Sequence, residues 1–164
     1  MPRREALLAD SALVLVTAIW GSTFVVNEFV LRDTPPLLFL AIRYGVAAAV
    51  LVLLARGRPR TPGLVKDSAV IGVLLAVGIG CQLVGQLFTT ASKAAFITGL
   101  SLPLTPVAAW LFHREVPSGS NLAGLVLAAG GFGLMAWPTG ATGLGPGDLL
   151  VFFTALVYAV IIVE

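Results

Sequence analysis

Long apolar blocks separated by short polar breaks organise this chain; no amphipathic period does. Each block is close to the roughly 20 residues that cross a bilayer as a helix. After a short polar tail over residues 1–10, the first block runs from Ser11 to about Leu31 and stops at Arg32-Asp33-Thr34-Pro35-Pro36. The second runs from Leu37 to Ala55 and is interrupted by Arg43-Tyr44. A polar, basic loop from Arg56 to Asp67 leads into the third, Ser68 to Phe88. The fourth spans Ala94 to Glu115, and the fifth Asn121 to Trp137. A glycine-rich loop without charge, Thr139 to Gly147, precedes a sixth that opens at Asp148 and is still apolar at Glu164. The pattern predicts an all-α integral membrane protein. It has a five-helix transmembrane repeat over residues 11–137 and part of a sixth helix over residues 148–164.

The fourth block carries Pro103 and Pro106 in its middle. Inside a soluble helix each proline costs about 3 kcal/mol and removes a backbone hydrogen bond. In a membrane the freed carbonyls are re-satisfied by hydroxyls, water or neighbouring helices, and Thr98, Ser101 and Thr105 stand close by. The expectation is a kinked, partly polar span, of the kind that transporters place beside substrate at the midplane. In the third block Gly72, Ala76 and Gly80 recur at a spacing of four, a small-residue face suited to close helix contact. Gly78, Gln82 and Gln86 recur at the same spacing, so the two glutamines share a face. The glycines from Gly124 to Gly133 predict a tightly packed fifth helix.

Composition strengthens the membrane reading: 58% of residues are hydrophobic, 11% are charged, and the mean hydropathy is +1.00. A soluble domain carries about a quarter charged residues. The net charge of +2 is therefore not a nucleic-acid signal, because the basic residues sit in loops. Arg3, Arg4, Arg56, Arg58, Arg60, Lys66 and Arg114 fall on one side of the membrane, and Arg32 and Lys93 on the other. This bias predicts a cytoplasmic amino terminus; the membrane expected is the plasma (inner) membrane. Arg3-Arg4 before an apolar run is not followed by a small-residue cleavage site, which favours a retained first helix. Cys81 alone makes no disulfide framework, and His113 alone makes no metal cluster. No metal and no cofactor are expected. Without a His cluster, paired acids or a nucleophile beside a base, an enzyme is not expected either.

The chain also resembles itself. Asp10 precedes Trp20-Gly21 by ten residues, as Asp148 precedes Tyr158-Ala159. A second copy of the unit thus begins at Asp148 and, after five spans, enters the membrane from the opposite side, as in transporters of inverted repeats. The chain then reads as one repeat and the start of another, more a fragment or truncated product than a complete protein.

Several stretches carry a family resemblance. They are Ala18-Ile19-Trp20-Gly21-Ser22-Thr23-Phe24, Leu40-Ala41-Ile42-Arg43-Tyr44, and Thr90 through Leu100 with Pro103 and Pro106 beyond. Glu115 before Pro117-Ser118-Gly119 and the glycine-rich Gly124–Gly133 complete the set. In order and spacing they resemble the EamA-type drug/metabolite transporter superfamily over nearly the whole chain. The resemblance implies half of a ten-helix transporter of two five-helix inverted repeats, with substrate in a central cavity.

The expected function is a secondary transporter, an exporter of small metabolites or drugs, working by alternating access. A gradient must drive it, since no phosphate-binding loop is present. Trp20, Arg43, Tyr44, Gln82, Gln86 and Lys93 are the residues expected to line its cavity. Arg43 is the costliest of them to bury. Glu28 lies at a similar depth on the preceding helix, which makes an Arg43–Glu28 pair feasible, either as a binding element or as a structural one. Trp20 reads as a cavity wall or as packing, Gln82 and Gln86 as cavity groups or as hydrogen-bonding links to a neighbouring helix, and Lys93 as an anion attractor or an ordinary interfacial lysine. The expected partners are the lipid bilayer, a small-molecule substrate, and either a homodimer mate or the missing second half. The alternative is a half-size, non-transporting subunit paired with itself or with another five-helix unit.

Overall fold

A computed structural model describes residues 3–56, 63–136 and 144–163. Those residues form seven helices in the order α1 (Arg3–Val30), α2 (Pro36–Leu54), α3 (Leu64–Gln86), α4 (Ala91–Gly99), α5 (Ser101–His113), α6 (Gly119–Ala136) and α7 (Pro146–Val163). Five stretches are long and apolar enough to cross a membrane: α1, α2, α3, α4 with α5 taken together, and α7. The protein is an all-α membrane protein, as the apolar blocks predict. Helix α6 stands where the fifth block was expected, while Trp137 and most of the glycine-rich loop lie outside the described residues.

Local chemistry fixes the helix ends. Helix α2 starts on Pro36, whose missing N–H is one that a first turn leaves unpaired anyway. Helix α4 is capped by Thr90, whose Oγ1 accepts from the Lys93 backbone N–H at 3.3 Å. Helix α5 ends at Arg114 in the left-handed conformation (φ 59°), with its N–H bonded to the Trp110 carbonyl. Helix α1 begins at Arg3, so the residues 3–10 read as a polar tail are helical. At 28 residues it is about 42 Å long, more than the ~30 Å hydrocarbon core requires.

The fourth span breaks at Leu100, three residues before Pro103. Proline at 103 offers no N–H to the Gly99 carbonyl, and the Leu100 N–H turns instead to the Ile97 carbonyl at 3.1 Å, a tighter i→i−3 contact. Pro106 sits inside α5 without breaking it. Two of the hydroxyls do not take the part expected of them. Thr105 Oγ1 donates to the Ser101 carbonyl at 2.8 Å, and Thr98 Oγ1 is buried with no hydrogen-bond partner among the described residues.

Helix α7 is the hub. It packs most extensively on α3, then on α5 and α4. Contact with α3 depends on two glycines: a Cβ on Gly85 would lie 2.7 Å from Val151 Cγ2, and one on Gly147 would lie 2.6 Å from the Gly85 carbonyl oxygen. Thr154 Oγ1 reaches across to the Gly78 carbonyl at 2.8 Å. The expected contact face, Gly72, Ala76 and Gly80, is not the one used: a Cβ on Gly72 or Gly80 would meet nothing within 4 Å. The helix turns its Gly78–Gln82–Gln86 face inward instead, because that face also carries polar groups that need partners. The α6 glycines are likewise mostly unpacked, with only Gly131 approached, by Phe96. Helices α1, α4 and α7 meet in a small core of Phe24, Ala91, Ala94, Ile97 and Val151. Helix α2 has no buried residue.

Candidate functional site

Glu28 Oε2 accepts from the Ala91 N–H at 3.3 Å, and Thr89 donates to Asp148. The carboxyl-terminal ends of α1 and α3 and the amino-terminal ends of α4 and α7 therefore share one end of the bundle. The polar side chains inside the apolar spans gather between that end and the middle.

One cluster joins α1, α2 and α3. Asn27, buried, donates through Nδ2 to Gln86 Oε1 at 3.1 Å, and Gln86 Nε2 donates to the Phe24 carbonyl at 3.1 Å. Arg43 reaches the same Asn27, Nη1 to Oδ1, at 3.4 Å. Its guanidinium lies 5.9 Å from the Phe39 ring centre and 5.7 Å from that of Tyr44, within cation–π range. Deeper in, Tyr158 on α7 donates to Gln82 Oε1 at 3.3 Å, and its ring stands 6.3 Å from that of Trp20. Trp20 and Tyr44 are 48% and 42% exposed, so the face presents aromatic surface outward while its amides are buried. Five of the six expected site residues, Trp20, Arg43, Tyr44, Gln82 and Gln86, fall in this region.

The expected Arg43–Glu28 pair is not formed. Glu28 lies 3.8 Å from Arg32, one helical turn on, and takes the Ala91 N–H. Among the described residues Arg43 makes no ion pair. Its interior partners are a neutral amide and two rings, because Asn27, not Glu28, is on the face of α1 that meets α3.

Lys93 stands apart from the cluster. Its Nζ is 3.6 Å from Asp148 Oδ2, an ion pair joining α4 to α7, with the aspartate 3% exposed. Thr89 donates to Asp148 Oδ1, and the Gly145 N–H donates to Oδ2 at 2.9 Å. The last contact is the back-reaching half of a capping box, an acid in the first turn bonding the N–H just before its helix. Lys93 here pairs with a buried carboxylate and neutralises it.

An apolar cleft of about 420 Å³ opens between α2 and α3, walled by Leu40, Ala41, Tyr44, Gly72, Ala76 and Ile79. This is where the small-residue face of α3 points. Tyr44 is the one residue shared by the cleft and the polar cluster. Among the described residues no three His, Cys, Asp or Glu side chains come together as a metal site.

Asn27, the centre of the cluster, was legible as a polar residue in an apolar span but was not singled out. Tyr158 matches Trp20 in the internal repeat, and the two rings are near neighbours, 6.3 Å apart centre to centre.

The EamA-like transporter family matches residues 7–137. The chain belongs to the EamA-like transporter family. It is 34% identical over 154 residues to an uncharacterised transporter of Archaeoglobus fulgidus, covering 94% of this chain and 47% of that protein. It is 32% identical over 149 residues to the uncharacterised inner membrane transporter YedA of Escherichia coli K12, covering 84% of this chain and 49% of that one. The chain thus spans about half the length of these relatives. No solved structure matches it. Polar groups inside membrane spans, such as those of the two clusters, mark candidate substrate or ion paths.

Proposed function

We propose that the chain forms half of the core of a secondary transporter, with Trp20, Arg43, Tyr44, Gln82 and Gln86 lining its substrate cavity and Asn27 and Tyr158 holding them. The observation that carries this reading is Arg43, a cation within an apolar span with no acidic partner among the described residues. Such a charge is kept in a bilayer when it faces protein or water and has work to do there. Half-exposed Tyr44 beside it, with half-exposed Trp20 deeper in the bundle, would receive the apolar body of a small solute. Lys93, already bound to Asp148, is left out of the cavity.

The cycle is alternating access around this face, driven by an ion or solute gradient, with export as its direction. The amino terminus lies in the cytoplasm, so the Glu28 end is the outer one. Contact of Trp20 with Tyr158, each ten residues after an aspartate, supports a pair of inverted repeats. Helices α1 and α7 run in opposite directions past that contact. Ten residues are about 15 Å of helix, which places Asp10 and Asp148 on opposite sides of the midplane.

The bare apolar surface of α2 favours a second element in the account: the cavity is completed by another five-helix unit, from the same polypeptide or another copy. The test uses vesicles containing the whole transporter, loaded with a mixed small-metabolite extract. Wild type moves at least one compound down an imposed gradient, and Arg43→Leu lowers that movement by about a hundredfold while reaching the membrane normally, the scale of losing a charged contact. Equal movement by Arg43→Leu and wild type would sink the cavity assignment.

A further inference from the structure

Helix α4 is held in different ways at its two ends. At Leu100 the chain passes into α5 through a single tight turn, and Pro103 removes the hydrogen bond that would have continued the helix. A break of this kind is a place where a helix can change direction without losing further bonds. At the other end two carboxylates from different helices hold α4 down. Glu28 of α1 accepts from the Ala91 N–H, and Asp148 of α7 binds Lys93. Between the ends, α4 meets α1 and α7 through Ala91, Ala94 and Ile97, two of which are alanines with no bulk to interlock.

Asp148 belongs to a rigid pair. Gly85 and Gly147 bring α3 and α7 into backbone contact, and Thr154 bonds across to α3. The Gly145 N–H keeps hold of Asp148 whether or not Lys93 is there, while Thr89, in the turn that leads into α4, moves with that helix. The carboxylate is thus a fixed anchor, and the lysine is the part that can leave. Next to the break, Thr98 is 1% exposed and its hydroxyl has no hydrogen-bond partner among the described residues. A buried hydroxyl left unsatisfied is costly and calls for an explanation, and a second position of α4 in which Thr98 finds a partner supplies one.

We propose that α4 is a hinged arm, pivoting at Leu100 and latched shut by Lys93 on Asp148, and that its swing opens and closes the Glu28 end of the cavity. That it gates a cavity rests on the transporter reading above; that it moves does not.

The test reads water access to Ala94, which is fully buried with the arm closed. Cys81 is replaced by Ser and Ala94 by Cys, and the whole protein in membrane vesicles is labelled with a membrane-impermeant maleimide. Labelling follows the population of the open arm. With Lys93 present it is slow. Lys93→Met raises the rate about tenfold, the effect of a modest population shift, while Lys93→Arg, which keeps the charge, leaves it unchanged. Adding Pro103→Ala to Lys93→Met restores the helical bond at the hinge and brings the rate back down. If Lys93→Met does not reach the membrane, Lys93→Gln is read in its place. A rate unchanged by loss of the charge overturns the latch, and a rate unmoved by Pro103→Ala overturns the pivot. Labelling that behaves as proposed in a protein that moves no solute leaves the arm in place and overturns the transporter reading.

Discussion

The two polar clusters lie at the same end of the bundle and are built on opposite principles. Around Asp148 every strong charge is matched: the buried carboxylate has a lysine, a hydroxyl and a backbone N–H. Around Asn27 the hydrogen bonds are between neutral amides, and the one charge, Arg43, is offered only an amide oxygen and two rings. The first arrangement is complete in itself and joins helices. The second is complete in its buried amides and open at its cation and its exposed aromatics.

Mutation separates the two clusters by the size of its effect on stability. The largest loss is expected for Asp148→Ala, which strands Lys93 and two donors in a low-dielectric site. Breaking a buried pair by removing one partner costs about 3–5 kcal/mol, measured as a fall in unfolding midpoint in detergent; a loss below about 1 kcal/mol, the scale of a solvated pair, would erase the contrast. Next comes Asn27→Ala, which leaves the Gln86 amide and Arg43 without a common partner. The expected loss is about 1–3 kcal/mol, the cost of unsatisfied buried polar groups, by the same measurement. Smallest is Gln82→Leu, which removes one hydrogen bond to Tyr158. Interhelical bonds of this kind average about 0.6 kcal/mol in membranes, so the unfolding midpoint barely moves, whereas solute movement falls if Gln82 faces the cavity. Unchanged movement would assign Gln82 to packing alone.

Much of this fold is written in the sequence, because a bilayer demands long apolar blocks and the blocks are countable. The break in the fourth span was legible from Pro103, since the missing N–H acts locally. What was not legible is rotation about the helix axis. Depth along a helix follows from counting residues, and it put Arg43 and Glu28 level. Which way each side chain faces depends on packing, and Glu28 faces Arg32 and the start of α4. The same limit applied to α3. Spacing of four marks both Gly72–Ala76–Gly80 and Gly78–Gln82–Gln86 as faces, but only the position of α7 decides which is buried. Lys93 and Asp148 are 55 positions apart, and nothing local to either announces the other. Asn27 was the recoverable miss, being a side-chain amide in an apolar span with Gln86 at matching depth on α3.

On the proposed reading, the face carrying Arg43 and Tyr44 lines a water-filled cavity and does not abut lipid. The most direct measurement places a cysteine at Tyr44, in a protein whose Cys81 is Ser, and labels intact vesicles with a membrane-impermeant maleimide. A cavity gives labelling at a rate close to that of a loop cysteine, and slower labelling when a compound the protein moves is present. Labelling by lipid-soluble reagents alone, unaffected by any such compound, would contradict it.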